Sequence, residues 1–328
     1  MTAGAFLEDR LLTAEESESL LHLMYTCDVA GEVWSGGSAI VRRARRLTDG
    51  TEVVLKLLSP SSADEEREVL EEARVLRRLC HENVVRLLDS FATPPDGVSS
   101  LTIPRRCLVL EACECSLEDD VRSAWPGGVY EREEEVLTSR ALDLCRGLNY
   151  VHKHGVAHRD LKAANVLLQD GVLKLADFGS AQQGESRSSE AAGTVGYLAP
   201  ELTRSDAYDA SQRGMQLADR WALGIVLCEL ATGRLVHEWP WAGRNLASAR
   251  RREKWDVISA AAAHCPAAAE VASRLLRQAP GRRIVLSKAM RLLAPPRAAP
   301  ELSDGESTQS DTDERVRRKR CELVHPRS

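Results

Sequence analysis

The first third of the chain carries short runs in which apolar and polar residues alternate, a pattern typical of β-strands. Two of these runs flank the triplet Thr48-Asp49-Gly50, which favours a tight hairpin turn. Two more runs follow further along the chain, so the pattern predicts a small lobe built on a sheet. The predicted strands cover residues 38–47, 51–58, 83–91 and 105–113.

One helix is predicted between the second and the third of these strands. Apolar residues recur there over residues 62–80 with the spacing of a single helix face. Ser62 is the expected N-cap, and Glu65 is expected to complete a capping box. The apolar stripe consists of Val69, Leu70, Ala73, Leu76 and Leu79.

After Cys115 the pattern changes to long helical runs, which predict a second, mainly helical lobe. One run ends at Gly155, as helices often do, and another is apolar on almost every side, which indicates a buried helix. A short hairpin is predicted where Asp170-Gly171 follows a run of apolar residues. The predicted helices cover residues 133–155, 218–234 and 268–278.

The two ends of the chain differ in composition from its middle. Residues 1–27 look like a leader with a short helix, because Thr13 and Glu16 form a capping box ahead of several leucines. Residues 294–328 are rich in proline, serine and charge, acidic first and then basic, with few apolar residues. Such a composition predicts a disordered tail.

Composition and charge narrow the function. Hydrophobic residues make up 43% and charged residues 28%, as in a soluble protein, and the formal net charge of −5 does not favour nucleic-acid binding. No apolar run is long enough to cross a membrane, and the N-terminus lacks the pattern of a signal peptide. We expect an intracellular protein, cytoplasmic or nuclear, with a candidate basic nuclear signal at 315–320. The nine irregularly spaced cysteines are interpreted as free thiols.

Residues 158–179, HRDLKAANVLLQDGVLKLADFG, carry the candidate chemistry. The patterns H-R-D-L-x-x-x-N and D-F-G make this segment resemble the catalytic and metal-binding loops of eukaryotic protein kinases of the serine/threonine type. The resemblance implies an α+β, bilobal protein-kinase fold, with a small β-rich N-lobe containing one αC helix and a larger, mainly helical C-lobe. The kinase domain is expected at 28–293, with the N-lobe at about 28–110, the hinge at about 111–116 and the C-lobe at about 117–293.

The resemblance also implies the cofactors ATP and Mg²⁺ and assigns roles in phosphoryl transfer. Asp160 would accept the proton of the substrate hydroxyl, and Lys162 would contact the γ-phosphate. Asn165 and Asp177 would supply oxygen ligands for Mg²⁺. Lys56 of the V-V-L-K sequence would hold the α- and β-phosphates. Its partner on the predicted helix is expected to be Glu72, or Glu71 if the register slips by one.

The stretch GEVWSGGSAIV, residues 31–41, is interpreted as a degenerate form of the family's glycine-rich phosphate loop. Gly36 occupies the central glycine position, whereas Trp34 and Ala39 occupy the two outer ones. Val41 would cover the adenine, and Val54 replaces the usual alanine, which should narrow the adenine slot. We expect weaker ATP binding or slower loop motion rather than inactivity.

The hinge between the lobes is assigned to LVLEACECSL. Leu110 would be the gatekeeper, and the backbones of Glu111 and Cys113 would contact the adenine. Leu167, which follows the catalytic loop, is a further implied nucleotide contact.

Four residues are assigned to regulation of the activation segment. Thr194 in GTVGYLAPE matches a threonine of serine/threonine members, and Lys162 favours the same substrate class. Arg159 is expected to pair with a phosphate on Ser189, with Ser188 as the next candidate. The alternative is an activation segment that is ordered without phosphate, with Glu190 as the acid.

Three further residues are expected to be structural. Asp219 in DRWALG would brace the backbone of the catalytic loop, and Arg283 would pair with Glu201 of A-P-E.

Several alternatives stay open. The resemblance implies an active serine/threonine protein kinase that transfers the γ-phosphate of ATP to protein substrates. The degenerate loop and Val54 are the only support for the alternative of a pseudokinase scaffold, and a small-molecule kinase of the same fold is another candidate. His154 with His158, or Cys113 with Cys115, provides a weaker hypothesis of a metal site. Protein substrates are the expected partners, with an activating subunit or an upstream kinase as a further candidate, and the hinge sequence gives a leaning to the cyclin-dependent-kinase-like group.

Overall fold

The computed structural model describes residues 24–36, 39–93, 105–124, 132–184, 193–203, 209–239 and 251–294. The predicted leader helix, the predicted tail beyond 294, and Ser188, Ser189 and Glu190 lie outside the described residues. Contacts group the chain up to Leu293 into one unit. Within the described ranges, no helix is both long and apolar enough to cross a bilayer.

An antiparallel sheet forms the small lobe, with strand order β1-β2-β3-β5-β4. The predicted strands are present with shifted bounds, whereas the first strand was not predicted. It begins at Tyr25, which is 1% exposed and pairs with Arg46, so the expected leader boundary at residue 27 falls inside a strand. The strands are β1 (Tyr25–Gly36), β2 (Ala39–Arg46), β3 (Glu52–Leu58), β4 (Leu87–Thr93) and β5 (Arg105–Glu111).

The turn between β2 and β3 forms where the sequence places it. Gly50 has φ 73°, a conformation that glycine adopts without a steric cost. Its N–H donates to the Arg46 carbonyl at 2.8 Å, and Asp49 Oδ1 accepts the Thr51 N–H at 3.0 Å. The turn therefore fixes the register in which Val41 lies opposite Lys56.

Helix α1 (Ala63–Arg78) lies between β3 and β4. The Ser62 side chain accepts the Glu65 N–H at 3.2 Å, as the capping pattern predicts. The Glu65 carboxylate, however, accepts the N–H of Ser61 at 2.6 Å rather than that of Ser62. The reciprocal half of the capping box is therefore displaced by one residue. The inner face of α1 buries Glu72, Ala73, Val75 and Leu76.

The large lobe is mainly helical. Two small antiparallel sheets, of order β6-β8-β9 and β10-β7, carry the loops of the candidate site. The strands are β6 (Cys115–Ser116), β7 (Val156–Ala157), β8 (Val166–Gln169), β9 (Val172–Leu175) and β10 (Gln182–Gln183). The helices are α2 (Leu117–Ser123), α3 (Glu134–Lys153), α4 (Gln212–Thr232), α5 (Arg251–His264), α6 (Pro266–Leu275) and α7 (Leu286–Leu293).

Helix α4 is the buried helix that its apolar composition predicts. Trp221 is fully buried, and the helix ends at Gly233, which has φ 65°. It begins at Gln212, earlier than predicted, because Ser211 caps it by accepting the Gly214 N–H at 3.1 Å. The helix therefore provides a rigid support beneath the loops of the large lobe.

The cysteines agree with the free-thiol interpretation at most of the positions that the structure describes. Cys80 is disulfide-bonded, so the interpretation is wrong at that residue. The free thiols are Cys107, Cys113, Cys115, Cys145, Cys228 and Cys265.

Candidate active site

The loop between β7 and β8 places two of the predicted catalytic side chains against the activation segment. Thr194 Oγ1 donates to Asp160 Oδ1 at 2.7 Å. Lys162 Nζ donates to Asp160 Oδ2 at 2.7 Å and lies 2.8 Å from Thr194 Oγ1. These contacts close a ring of three polar side chains that holds the Asp160 carboxylate in one orientation.

Asn165, at the end of the same loop, also holds Asp160 in place. Its amide nitrogen donates to the Asp160 carbonyl at 2.8 Å and to Asp160 Oδ2 at 3.1 Å. Because both bonds use the nitrogen, Asn165 Oδ1 is the side-chain atom that remains to ligate a cation.

Lys56, Glu72 and Asp177 form an ion-pair cluster between the lobes. Lys56 Nζ lies 2.7 Å from Glu72 Oε1 and 2.8 Å from Asp177 Oδ1. Glu71, the alternative partner, instead lies 3.5 Å from Arg74 on the exposed side of α1. The structure therefore adopts the register in which Glu72 faces the lysine.

Lys56 and Asp177 stabilise each other's charged forms, whereas burial raises the pKa of Glu72 above its ordinary value despite the nearby Lys56. Burial lowers the pKa of Lys56, but the Glu72 and Asp177 carboxylates outweigh it, so the pKa lies above its ordinary value. Burial raises the pKa of Asp177, but Lys56 outweighs it, so that pKa lies below its ordinary value. Asp177 also has φ 56°, in the left-handed region that few residues other than glycine adopt. A charged Lys56 and a charged Asp177 are thus the stable forms near neutral pH.

Asp219 of α4 holds the backbone of the catalytic loop. Its carboxylate accepts the N–H groups of His158 and Arg159, each at 2.8 Å. His152 Nε2 donates to the same carboxylate at 2.8 Å, a contact that the sequence did not indicate. Burial raises the pKa of Asp219, but these hydrogen bonds, led by the one from His152, hold it below its ordinary value.

Arg283 and Glu201 form a bidentate buried ion pair, as the resemblance implies. Both nitrogen–oxygen distances are 2.6 Å. The guanidinium also donates to the Leu217 carbonyl at 2.7 Å and lies 5.3 Å from the ring centre of Trp221. The pair fixes the end of the activation segment to the start of α4.

A second buried carboxylate lies near this segment, and the sequence analysis did not identify it. Glu229 of α4 is fully buried, and its Oε1 accepts from Tyr197 Oη at 2.7 Å and from the Val236 N–H at 2.8 Å. Its Oε2 has no hydrogen-bond partner in the described part of the chain. Burial raises the pKa of Glu229 to about 8.

The roof of the cleft is formed by β1, β2 and β3. Trp34 pairs with Val41 and Gly36 pairs with Ala39, so the glycine stretch up to Gly36 forms the end of a strand. Val54 lies in β3, two residues before Lys56, and Leu110 pairs with it from β5.

The hinge is held by side chains that the sequence analysis did not identify. The Glu111 carboxylate accepts from Lys174 Nζ at 3.0 Å and from the Arg86 N–H at 2.8 Å. The Cys113 carbonyl accepts a hydrogen bond from Arg43 of β2. Burial raises the pKa of the Cys113 thiol to about 12, so this cysteine stays protonated. Leu167 lies half-buried on β8.

Arg159 has a partner in β10. Its Nη1 donates to Gln182 Oε1 at 2.8 Å, and its φ is 70°. Its expected partners Ser189, Ser188 and Glu190 lie outside the described residues.

The described residues give no support to the metal hypotheses for the histidines and cysteines. His158 is buried against Phe178, with Nε2 donating to the Ala176 carbonyl at 2.9 Å. His154 Nδ1 bonds to the carbonyl of Tyr150 at 2.9 Å. Within the part of the chain that the structure describes, no group of three or more His, Cys, Asp or Glu residues has the geometry of a metal site.

The chain is similar in sequence to several known protein kinases. The serine/threonine-protein kinase STY46 of Arabidopsis thaliana is 34% identical over 204 residues, which are 57% of this chain and 30% of the relative. The CBL-interacting protein kinase 4 of Oryza sativa subsp. japonica is 34% identical over 233 residues, covering 66% and 47%. The delta subunit of the rabbit (Oryctolagus cuniculus) calcium/calmodulin-dependent protein kinase type II is 29% identical over 280 residues, covering 79% and 47%.

The chain thus spans less than half the length of these relatives. They are plant kinases and a calmodulin-dependent kinase, so the leaning to the cyclin-dependent-kinase-like group is not supported. The family model described as the protein kinase domain matches residues 28–292. Because this match covers most of the chain, and the fold and site agree with it, the chain belongs to the protein kinase family.

Proposed function

We propose that this protein is a serine/threonine protein kinase, which transfers the γ-phosphate of ATP to hydroxyl groups of protein substrates in the presence of Mg²⁺. The observation that carries this proposal is the pair of polar clusters on the two sides of the cleft. Asp160, Lys162 and Thr194 form one, and Lys56 with its two carboxylate partners forms the other. Phosphoryl transfer needs such fixed charges more than it needs covalent chemistry.

The donor atoms fit a nucleotide with its metal. Lys56 supplies the positive charge for the α- and β-phosphates, and Glu72 fixes its position. Asn165 Oδ1 and the Asp177 carboxylate are the hard oxygen donors proposed to bind Mg²⁺. Bound Mg²⁺ would neutralise the charge that develops on the phosphate oxygens.

Asp160 is the group proposed to receive the substrate proton. The substrate oxygen forms a bond to the γ-phosphorus while the bond to the bridging oxygen of ADP breaks, and the hydroxyl proton passes to the Asp160 carboxylate. Lys162 and Thr194 hold that carboxylate from both sides, so it pays little orientational entropy in the transition state. Lys162 also places a positive charge beside the transferred group.

The same contacts support the serine/threonine class. Thr194 bridges the proposed base and Lys162, the arrangement that the resemblance associates with serine/threonine members. The printed names of the relatives agree with this class. The ion-pair cluster around Lys56 argues against a pseudokinase scaffold, because a chain without catalytic function does not need these charges at these positions.

Regulation and location extend the proposal. Protein substrates follow from family membership, and an activating subunit or an upstream kinase acting on Ser189 or Ser188 is proposed as the input. Arg159 is the proposed receiver of such a phosphate, because it lies beside β10 at the start of the activation segment. A cytoplasmic or nuclear location is supported only by composition and by the basic run at 315–320.

A transfer assay with Lys56→Met tests the proposal. The variant keeps an unbranched side chain but removes the charge between the carboxylates, so transfer of labelled γ-phosphate to a basic protein should fall at least a hundredfold. The matched control is Lys288→Met, because Lys288 is exposed on α7 and the charge change is the same. Equal activity of the Lys56 variant and wild type would contradict the assigned nucleotide position.

A further inference from the structure

Arg43 connects the roof of the cleft to the hinge. It lies on β2 opposite Val54, on the strand face that also carries Val41 and Lys56. Its Nη2 donates to the carbonyl of Cys113 and, at 3.1 Å, to that of Glu114. Both carbonyls belong to the hinge, where the adenine is proposed to bind.

Several other contacts of the hinge connect it to the large lobe. The Glu114 N–H donates to the Leu168 carbonyl at 2.9 Å, and its Oε1 accepts the Asp170 N–H at 2.9 Å. Lys174 of β9 holds the Glu111 carboxylate. Arg43 connects the hinge to the roof of the cleft, through a charge-assisted hydrogen bond to the Cys113 carbonyl.

The hydrogen bond from Arg43 determines which hinge atoms are available to hydrogen-bond a ligand. Adenine has an acceptor nitrogen beside a donor amine, and the proposed pairing uses the Cys113 N–H and the Glu111 carbonyl. The Cys113 carbonyl is the third hinge position, and Arg43 already donates to it. A ligand that donates to this carbonyl must compete with the guanidinium, whereas adenine does not.

We propose that Arg43 is a positioning and specificity-determining residue of the nucleotide site, which fixes the hinge for adenine and closes the Cys113 carbonyl to other hydrogen-bond donors. The inference rests on the proposed function, since it takes the hinge as the adenine contact. No catalytic step involves Arg43.

The surroundings of Arg43 allow the side chain to leave the carbonyl. A cavity of about 320 Å³ lies beside it, bordered by Thr26, Glu52 and the hinge residue Ala112. A ligand that donates to the Cys113 carbonyl can therefore displace the guanidinium into this space, at the cost of the hydrogen bond. Such ligands should bind the wild-type chain weakly.

The test compares two probes on the full chain. Adenosine represents the adenine pattern, and a 2-anilinopyrimidine represents a ligand that accepts from the Cys113 N–H and donates to the Cys113 carbonyl. Arg43→Met keeps most of the apolar stem and removes the donors. We expect the Kd of the 2-anilinopyrimidine to fall by about three- to tenfold, because its hydrogen bond to the Cys113 carbonyl no longer competes with the guanidinium. The Kd of adenosine should rise by a similar factor, because the hinge loses the hydrogen bond that fixes it for adenine.

Two variants control for charge and packing. Arg67→Met removes the same charge, but Arg67 is 72% exposed on α1, pairs with Asp64 and does not border the cavity, so neither Kd should change. Arg43→Lys retains a donor and should recover part of the adenosine affinity. For the kinase reaction, Arg43→Met should raise KM for ATP while kcat stays near that of wild type.

The outcomes separate the inference from the proposed function. Opposite shifts of the two Kd values support the role of Arg43, because a general loosening of the fold weakens both probes. Shifts in the same direction, or none, overturn it while leaving the kinase proposal intact. If neither probe nor ATP binds the folded wild-type chain, the proposed function fails and the inference fails with it.

Discussion

Removal of Arg283 should lower the free energy of unfolding, because Arg283 forms a buried ion pair with Glu201. Arg283 is 3% exposed and Glu201 is 8% exposed, and two bonds of 2.6 Å join them. In Arg283→Met, the Glu201 carboxylate stays buried without its counter-charge, and the Leu217 carbonyl loses a donor. Breaking a buried pair in this way costs about 3–5 kcal/mol.

Thermal and chemical unfolding both measure this loss. For a domain of this size, each kcal/mol lowers Tm by about 2–4 °C, so a loss of about 3–5 kcal/mol should lower Tm by about 6–20 °C. Urea unfolding should show a lower midpoint with an unchanged m-value. Intrinsic fluorescence of the chain's six tryptophans follows the transition, and buried Trp221, whose ring centre lies 5.3 Å from the guanidinium, contributes to it.

An exposed ion pair provides the control. Arg274 pairs with Glu270 on the surface of α6, with side-chain exposures of 47% and 49%. Arg274→Met should cost no more than about 0.5 kcal/mol. A similar small cost for Arg283→Met would refute the reasoning, because it would show that Glu201 finds water or another donor when the guanidinium is removed.

Two other substitutions test buried groups. Burial raises the pKa of Glu229 from 4.5 to about 8, so the folded state holds a proton that the unfolded state has released between these values. The free energy of unfolding should therefore fall as pH rises through this window. In Glu229→Gln this pH dependence, measured by urea titrations, should disappear. If it persists, other groups cause it. In Gly147→Ala, the new methyl would lie 2.5 Å from the Asn83 carbonyl oxygen, so the free energy of unfolding should fall by about 1–3 kcal/mol. Gly281→Ala is the control, because a methyl there meets open space and the free energy of unfolding should hardly change. Equal stabilities of the two alanine variants would show that α3 shifts freely.

The sequence predicts those parts of the fold that depend on neighbouring residues. The turn at Gly50 and the cap at Ser62 form as expected, because each depends on residues a few positions apart. The catalytic loop was found because the spacing of its side chains is itself a pattern. The strand β1 was missed, since the glycines at 31 and 36 favour a loop and strand pairing with β2 overrides that local preference.

Contacts between distant segments could not be predicted from periodicity. The bond from Arg43 to the hinge joins residues 70 positions apart, and that from His152 to Asp219 joins residues 67 apart. No repeating pattern marks such pairs, because only the packing of the lobes brings them together. The choice of Glu72 over Glu71 similarly depends on how α1 turns its inner face toward Lys56.

Transfer of labelled γ-phosphate by wild type and by Asp177→Asn tests the central claim most directly. The substitution keeps the size of the side chain but removes the charge that pairs with Lys56 and would hold Mg²⁺. We predict label on serine or threonine of a basic protein substrate with wild type, and a loss of at least a hundredfold with Asp177→Asn. Equal labelling by both proteins, or label confined to tyrosine, would contradict the proposed serine/threonine kinase.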